Sequence, residues 1–463
     1  MRTYSGCLLL LGLVACTTAN TGVRDRVEQA RAAEPLPFIQ DDYARALAEA
    51  KARGVPLFVL ATTGWCISCR SMKAHVLSSP SLGRHADRFV WLEVSTDSSQ
   101  NVAFQQKYPI ESYPKLFILD PREEKALLRF NDTLTVAELE QLLEDGERAY
   151  KGGAKGVEAL LVQADALFAQ GRVVEASKVL TEVLATAPAD WSRRGRVALA
   201  LVESFYETYE LRGLEDCATK ALELLPGASR SLAWSHVARR GLACAQSILP
   251  KELEPKRAEF LQNALEEKVA EAMGPPSIDM SVDDRSWLYS GRVWMRQMAK
   301  DEAGEKALAE EWLTFLETEA AKAPTPWARA ILDPHRADAA LQLKTPERAI
   351  PALEQSEKEF PQDYVVPLRL SQLYQAQGRM EDALAATDRA LVDAQGPRRV
   401  SVMGIRALIL KERKDTAIAA KALRDAIAYS ESLPEVQRSM CSVSRLKREL
   451  AQLEAPPQVT PPK

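Results

Sequence analysis

Long hydrophobic runs are scarce in this 463-residue chain. Past the N-terminal segment, none is long and apolar enough to form a membrane-spanning helix, so the rest of the chain is expected to sit in water. Charge of one sign is also missing. The net charge is −4, and no basic stripe carries interleaved aromatics, which excludes nucleic acid as an expected partner. The chain has no Ser/His/Asp triad, phosphate-cradling glycine loop or His-Glu-x-x-His stretch, so the common hydrolase, nucleotide and zinc-protease chemistries find no support. Cysteine is sparse at seven residues, unlike the even-numbered framework of a small disulfide-stapled domain. A chain this long exceeds one compact core, and two or more units are expected.

The N-terminus does carry an apolar stretch. Arg2 precedes Cys7-Leu8-Leu9-Leu10-Leu11-Gly12-Leu13-Val14, which meets Ala15-Cys16. A basic start and a short apolar core read as a secretory signal over residues 1–15, too short to remain as a spanning helix. The end Leu13-Val14-Ala15-Cys16 resembles a bacterial lipobox. That resemblance implies cleavage before Cys16, a diacylglyceryl thioether on its sulfur and an N-acyl chain, together enough for stable membrane attachment. Thr17 after the cysteine points, on the same resemblance, to the periplasmic face of the outer membrane of a bacterial envelope. A plain cleaved signal peptide with a chance cysteine is the alternative.

With Cys7 and Cys16 accounted for, Cys66, Cys69, Cys217, Cys244 and Cys441 remain. Cys217 and Cys244 are either a structural bridge or two buried helix residues. Cys441 is left over and is expected to be buried and inert.

The stretch Thr62-Thr63-Gly64-Trp65-Cys66-Ile67-Ser68-Cys69-Arg70 follows the strand-like run Pro56-Leu57-Phe58-Val59-Leu60 and opens a helical segment from Arg70 to Leu77. Two cysteines three positions apart lie on one side of a helix's first turn, within reach of a disulfide. Unsatisfied N–H groups and the positive end of the helix dipole stabilise a thiolate there. Cys66 is therefore expected to have a depressed pKa and to exchange electrons with Cys69 as its partner. Around this motif, strands and helices alternate from 36 to 150. An acidic-start helix spans 41–50, strands fall near 89–94, 115–119 and 127–130, and a helix occupies 102–108. A last helix, Val136 to Tyr150, opens with Thr135 and Glu138 as a capping box. This order predicts a mixed sheet flanked by helices.

The segment resembles the thioredoxin-like superfamily, in particular its secreted branch. The resemblance rests on Trp65-Cys66-x-x-Cys69, on Ser79-Pro80-Ser81-Leu82, and on Tyr108-Pro109-Ile110-Glu111-Ser112-Tyr113-Pro114 before the next strand. It implies that Cys66 is the exposed nucleophile, that Cys69 resolves the mixed disulfide, and that Trp65 packs against the client. It also implies a cis Pro114, which places the Tyr113 backbone where a client chain pairs like an added strand. There are two departures from the family pattern. Leu60 stands where many thioredoxins carry a buried aspartate; Glu93 on the adjacent strand is a substitute for it or, as expected here, an exposed strand glutamate. Ile67-Ser68 replaces the Gly-Pro of reducing thioredoxins. Zinc competes for the cysteines, but a structural site needs four ligands and only His75 and His85 are near, at a spacing that fits no common site. Both histidines are expected at the surface, and neither metal nor cofactor is expected.

Beyond the linker at 151–156 the chain turns helical, with an all-α superhelix expected over 157–435 and a terminal helix at 436–454. A thirty-four-residue period shows in Ala330 to Asp363 and Tyr364 to Pro397. Further copies start at Val157 and near Leu199, and a weaker one at Arg398. These resemble tetratricopeptide repeats, with 251–324 degenerate and its Trp287, Trp294 and Trp312 expected to fill space between helices. Residues 16–35 read as a linker and 455–463 as a disordered tail. Such arrays present a groove for a peptide or partner protein. The expectation is a membrane-anchored thiol–disulfide oxidoreductase whose repeats recruit clients bearing thiols or disulfides, or a redox partner. The alternative is an envelope scaffold whose thioredoxin-like fold only binds.

Overall fold

A computed structural model of the protein describes residues 35–454 except 111, 227, 249–252 and 439, with no side-chain description at 212 and 440–442. The segment expected to be a signal, Cys16, Glu111, the expected C-terminal tail and the Cys441 side chain lie outside the described residues.

The first unit is built from β1 (Phe38–Gln40), α1 (Tyr43–Arg53), β2 (Leu57–Thr62), α2 (Ile67–His75), β3 (Val90–Ser95), α3 (Val102–Lys107), β4 (Lys115–Asp120), β5 (Lys125–Asn131) and α4 (Val136–Tyr150). The five strands form one sheet in the order β1-β3-β2-β4-β5. β1 and β2 run parallel to β3, while β4 pairs antiparallel with both β2 and β5. Every residue of β2 and β4 is buried, which is why they read as unbroken apolar runs: helices cover both faces. Alternate side chains divide between two cores. Phe58, Leu60, Trp91, Leu116 and Ile118 meet Met72 and Val76 of α2 and Leu139 and Leu143 of α4. Leu57, Val59, Leu92, Val94 and Phe117 face Ala46 and Ala50 of α1 and Phe104 of α3. Local signals set the helix starts. Asp42 caps α1 by accepting from the Arg45 N–H, and the Thr135–Glu138 capping box opens α4.

After α4 all described elements are helical. Packed helix pairs follow one another, among them Val157–Ala169 with Val173–Thr186, Val365–Ala376 with Met380–Asp393, and Gly396–Glu412 with Thr416–Ser432. Small residues sit where the helices cross. A Cβ on Gly241 would come within 2.4 Å of the Ala221 methyl, so the helices Leu214–Leu224 and Leu232–Ser247 touch at a distance only glycine permits. The same two helices are joined by a Cys217–Cys244 disulfide, which settles the bridge in favour of the paired alternative. Closing a loop with a sequence separation of 27 stabilises by about 3.5 kcal/mol on chain entropy. A Cys217→Ala, Cys244→Ala variant should accordingly lose roughly 2–4 kcal/mol in urea unfolding, with wild type under reductant losing a similar amount.

Trp312 fills inter-helix space as expected, but Trp287 and Trp294 are each 37 % exposed, contrary to that expectation. The two units share one core. A continuous apolar cluster passes from Leu134, Leu142 and Leu143 into Ala198, Leu199, Val202 and Trp234 of the array. Helix Val157–Ala169 packs along β5, covering a sheet edge that would otherwise invite pairing.

Candidate redox site

The register places three chain segments at one end of the sheet. Thr62, the last residue of β2, lies opposite Ser95, the last of β3, and Ala61 lies opposite Lys115, the first of β4. The loops that follow β2 and β3, and the one that precedes β4, therefore converge. They carry Trp65 and Cys66, Thr96 and Asp97, and Tyr113 and Pro114.

Cys66 is the N-cap of α2, and its Sγ accepts the Cys69 N–H at 2.9 Å. The two sulfurs are bonded at 2.02 Å with Cα atoms 5.2 Å apart. No acidic residue sits in the first turn of α2, whereas Lys73 and His75 lie in its last. The partial positive charge at the cysteine end is thus not neutralised within the helix. The Tyr113–Pro114 peptide is cis. The Trp65 and Tyr113 rings meet edge to face with centroids 5.8 Å apart, and the hydroxyls of Tyr113 and Thr96 share a hydrogen bond of 2.7 Å. The structure thus brings Trp65, Cys66, Cys69, Tyr113 and Pro114 together. Cys16 is outside the described residues.

Two expectations about side chains change. Glu93 is not an exposed strand residue: its side chain is 12 % exposed. Its carboxylate accepts from Lys73 Nζ at 2.8 and 2.9 Å and from Thr62 Oγ1 at 3.3 Å. It lies directly across from buried Leu60, because aligned residues of parallel strands point to the same face, here the face under α2. His85 is fully buried, held between Arg84 Nε at 3.2 Å and Arg88 at 3.1 Å; burial lowers its pKa, with both arginines adding to the effect.

A larger difference concerns access. Cys66 is 4 % exposed and Cys69 2 %, so Cys66 is not an exposed nucleophile in this conformation. The cover comes from the far end of the chain. The Arg70 guanidinium grips both oxygens of Asp363 at 2.5 and 2.7 Å while donating to the Gly64 carbonyl. A Cβ on Gly64 would reach the Tyr364 ring at 3.0 Å. Arg398 lies 4.2 Å from the Trp65 ring centroid and 3.7 Å from Asp97. Gly396, with φ +49°, stands so close that a Cβ would fall 2.5 Å from the Asp97 carbonyl oxygen. Gln437 donates to the carbonyls of Thr96 and Ser98, and the Trp287 indole donates to Ser68 Oγ at 3.2 Å. Asp97 itself accepts from Thr63 Oγ1 at 2.5 Å and the Gly64 N–H at 3.2 Å. Burial raises its pKa despite those bonds and Arg398. Asp363, Arg398 and Gln437 carry no motif, and nothing in the sequence marks them.

A second buried polar cluster joins the two units. Thr133 Oγ1 donates to Asp284 Oδ1 at 2.5 Å and lies 3.2 Å from His236 Nε2. His236 Nε2 lies 3.4 Å from Asp284 and 3.6 Å from Asp132, and Arg239 pairs with Asp132 at 2.5 Å. Burial opposes a charge on His236, but Asp132 and the Asp284 hydrogen bond outweigh it and raise its pKa. Asp132, His236 and Asp284 are of metal-ligating type and close enough to share an ion. Arg239 already engages Asp132, however, and His236 Nε2 faces both carboxylates, so the set works as an inter-unit clasp.

Residues 38–121 match the family model described as Thioredoxin-like, and residues 340–403 match one described as Tetratricopeptide repeat. The chain carries a thioredoxin-like domain, followed by a tetratricopeptide repeat region. No curated protein matches it. Among solved structures, the assembly chaperone of RpL4 (Acl4, residues 1–338) is similar at 15 % identity and TM-score 0.30, over 64 % of this chain and 98 % of that one. The APC/C hetero-tetramer Cut9–Hcn1 is similar at 16 % identity and TM-score 0.24, over 66 % of this chain and 60 % of that one. Neither likeness is close enough to carry an argument. The thioredoxin-like match spans β1 to β4 and includes both cysteines and Pro114.

Proposed function

We propose that the protein is a thiol–disulfide oxidoreductase working through Cys66 and Cys69, anchored on the extracytoplasmic side of a bacterial membrane by lipid on Cys16. The observation that carries the redox reading is the Cys66–Cys69 bond across the first turn of α2, with the Cys69 N–H on the Cys66 sulfur. When the pair is reduced, that N–H and the helix dipole favour the Cys66 thiolate. Attack on a client disulfide joins Cys66 to one client sulfur and releases the other as a thiolate. Cys69 then attacks Cys66, restoring the bond seen here and freeing the second client thiol, so two electrons pass. The oxidised form runs the same steps in reverse. Trp65 and Tyr113 flank the sulfur as client-binding surface. The anchoring rests on the Leu13-Val14-Ala15-Cys16 sequence alone. The repeats serve partner proteins on whatever surface the thioredoxin-like domain leaves uncovered.

The burial of Cys66 favours a second reading, an envelope scaffold with a non-catalytic thioredoxin-like fold. Trapping separates the two. Cys69→Ala, expressed in its native envelope and run on non-reducing gels, should give discrete adducts that vanish under reductant and in the Cys66→Ala, Cys69→Ala double variant. A folded, membrane-localised protein that yields no Cys66-dependent adduct would leave the scaffold reading standing.

A further inference from the structure

The contacts over the redox loops are not scattered. Two of the three converging segments, the one after β2 and the one after β3, are engaged from the array. Helix Val282–Met298 brings Trp287 to Ser68. Helix Pro326–Ala330 sets Trp327 against the Arg70 guanidinium at 5.4 Å. Asp363 and Tyr364 take Arg70 and Gly64, while Gly396, Arg398 and Gln437 take the loop from Thr96 to Ser98. Two large side chains beside the Cys66–Cys69 turn stay partly open: Trp65 is 39 % exposed and Trp287, bonded to Ser68, 37 %. Disulfide exchange needs the incoming sulfur in line with the bond it breaks, so a sulfur at 4 % exposure admits only carriers slender enough to reach it.

Resting on the oxidoreductase reading, we infer that the C-terminal repeats wall in the redox site, so that Cys66 exchanges with sulfurs carried on slender groups and not with cysteines on folded surfaces. Those slender carriers are small thiols and extended or unfolded chain segments. The repeats thus act as the selectivity element of the thioredoxin-like domain. The two exposed indoles suit a cysteine flanked by apolar side chains in an extended chain.

The test compares carriers sharing one leaving group. Thionitrobenzoate mixed disulfides are made with glutathione, with a short unstructured cysteine peptide, and with a folded protein bearing one surface cysteine. Each is mixed with the reduced full-length protein, and thionitrobenzoate release is followed by absorbance. Two thiols of the protein become its disulfide, and each substrate disulfide becomes two thiols. Glutathione and peptide forms should react at similar rates, with the folded carrier slower by roughly a hundredfold, since access limits exchange. Asp363→Ala with Gln437→Ala should raise the folded-carrier rate by at least about tenfold while moving the glutathione rate less than about threefold. Arg398→Ala, judged folded by its near-ultraviolet circular dichroism, provides a second opening at a separate contact.

A folded carrier reacting with wild type within about threefold of the peptide overturns the inference. So does discrimination that survives in both opened variants, because the repeats would not be its source. If even the glutathione form fails to react through Cys66, the oxidoreductase reading itself falls, an outcome distinct from either of the others.

Discussion

Replacing Cys66 with serine brings exchange with every carrier down to the uncatalysed rate while leaving the fold in place. The two effects separate because Cys66, the nucleophile on the proposed reading, also caps a helix. As a nucleophile it depends on a thiolate, and a serine hydroxyl at this site has no adjacent base to ionise it. As the N-cap of α2 it accepts the Cys69 N–H through its side chain, a role serine fills at least as well. Compared under reductant, so that no disulfide contributes to either protein, the variant should unfold within about 0.5 kcal/mol of wild type. Stopped-flow thionitrobenzoate release and a urea melt on the same preparations check both. Residual exchange through Cys69 alone would contradict the assignment of Cys66 as the attacking sulfur.

Asp284→Ala should be the most damaging single substitution outside the apolar core, costing roughly 3–5 kcal/mol, because it removes one carboxylate from a buried charged cluster and leaves its partners facing each other. Asp284 Oδ1 takes the Thr133 hydroxyl of the thioredoxin-like domain, while Oδ2 takes the Ser281 N–H and hydroxyl and closes the capping box of helix Val282–Met298. One side chain thus starts a helix and ties that helix to the sheet domain. The same cluster sets a pH dependence. The folded pKa of His236 is raised above the usual 6.5, so its contribution is full below 6.5 and is lost as pH rises through the folded value. Burial acts to raise Asp132 and Asp284, but Arg239 and His236 prevail at Asp132, and His236 with the Thr133 and Ser281 hydrogen bonds at Asp284, so both are lowered. Their contribution is therefore lost only as pH falls below the usual carboxylate range. Buried Glu203, pushed up to about 7 by burial, also favours the acid side, since the folded state holds its proton longer. Melting temperature should therefore fall between pH 5.5 and 8.5, and His236→Gln should reduce that slope without abolishing it. An unchanged slope would show that His236 does not carry the effect.

Local chemistry was legible in the sequence and long-range choice was not. The apolar runs of β2 and β4, the Thr135–Glu138 box and the cysteine turn each declare themselves within a few residues, since strand burial, capping and a helix's first turn are decided there. Helix bounds shifted by a few residues: α2 begins at Ile67, ahead of the expected Arg70, because Cys66 rather than a later polar residue provides the cap. Glu93 was misjudged for a different reason. A glutamate in a strand reads as exposed unless its partner is known, and Lys73 comes from a helix, 20 positions away. The cover over the redox loops lay furthest out of reach. Arg70 and Asp363 are 293 positions apart, and their meeting depends on the small turn each helical pair adds to the next. The thirty-four-residue period fixes that helices stack; it does not reveal which side of the stack looks at the cysteines, or that Trp287 points there and not between helices.

The shared core of the two units also has a consequence in time. Chains are made from the N-terminus, so the sheet and both cysteines of the α2 turn emerge with more than three hundred residues still to come. Asp363, Arg398 and Gln437 follow near the end. During that interval α4 and the outer face of β5 have no array to lie against, and the cysteine pair stands open to whatever thiols surround the growing chain. Residues made later shut over residues made earlier. The Cys66–Cys69 pair is thus most accessible before the repeats close over it.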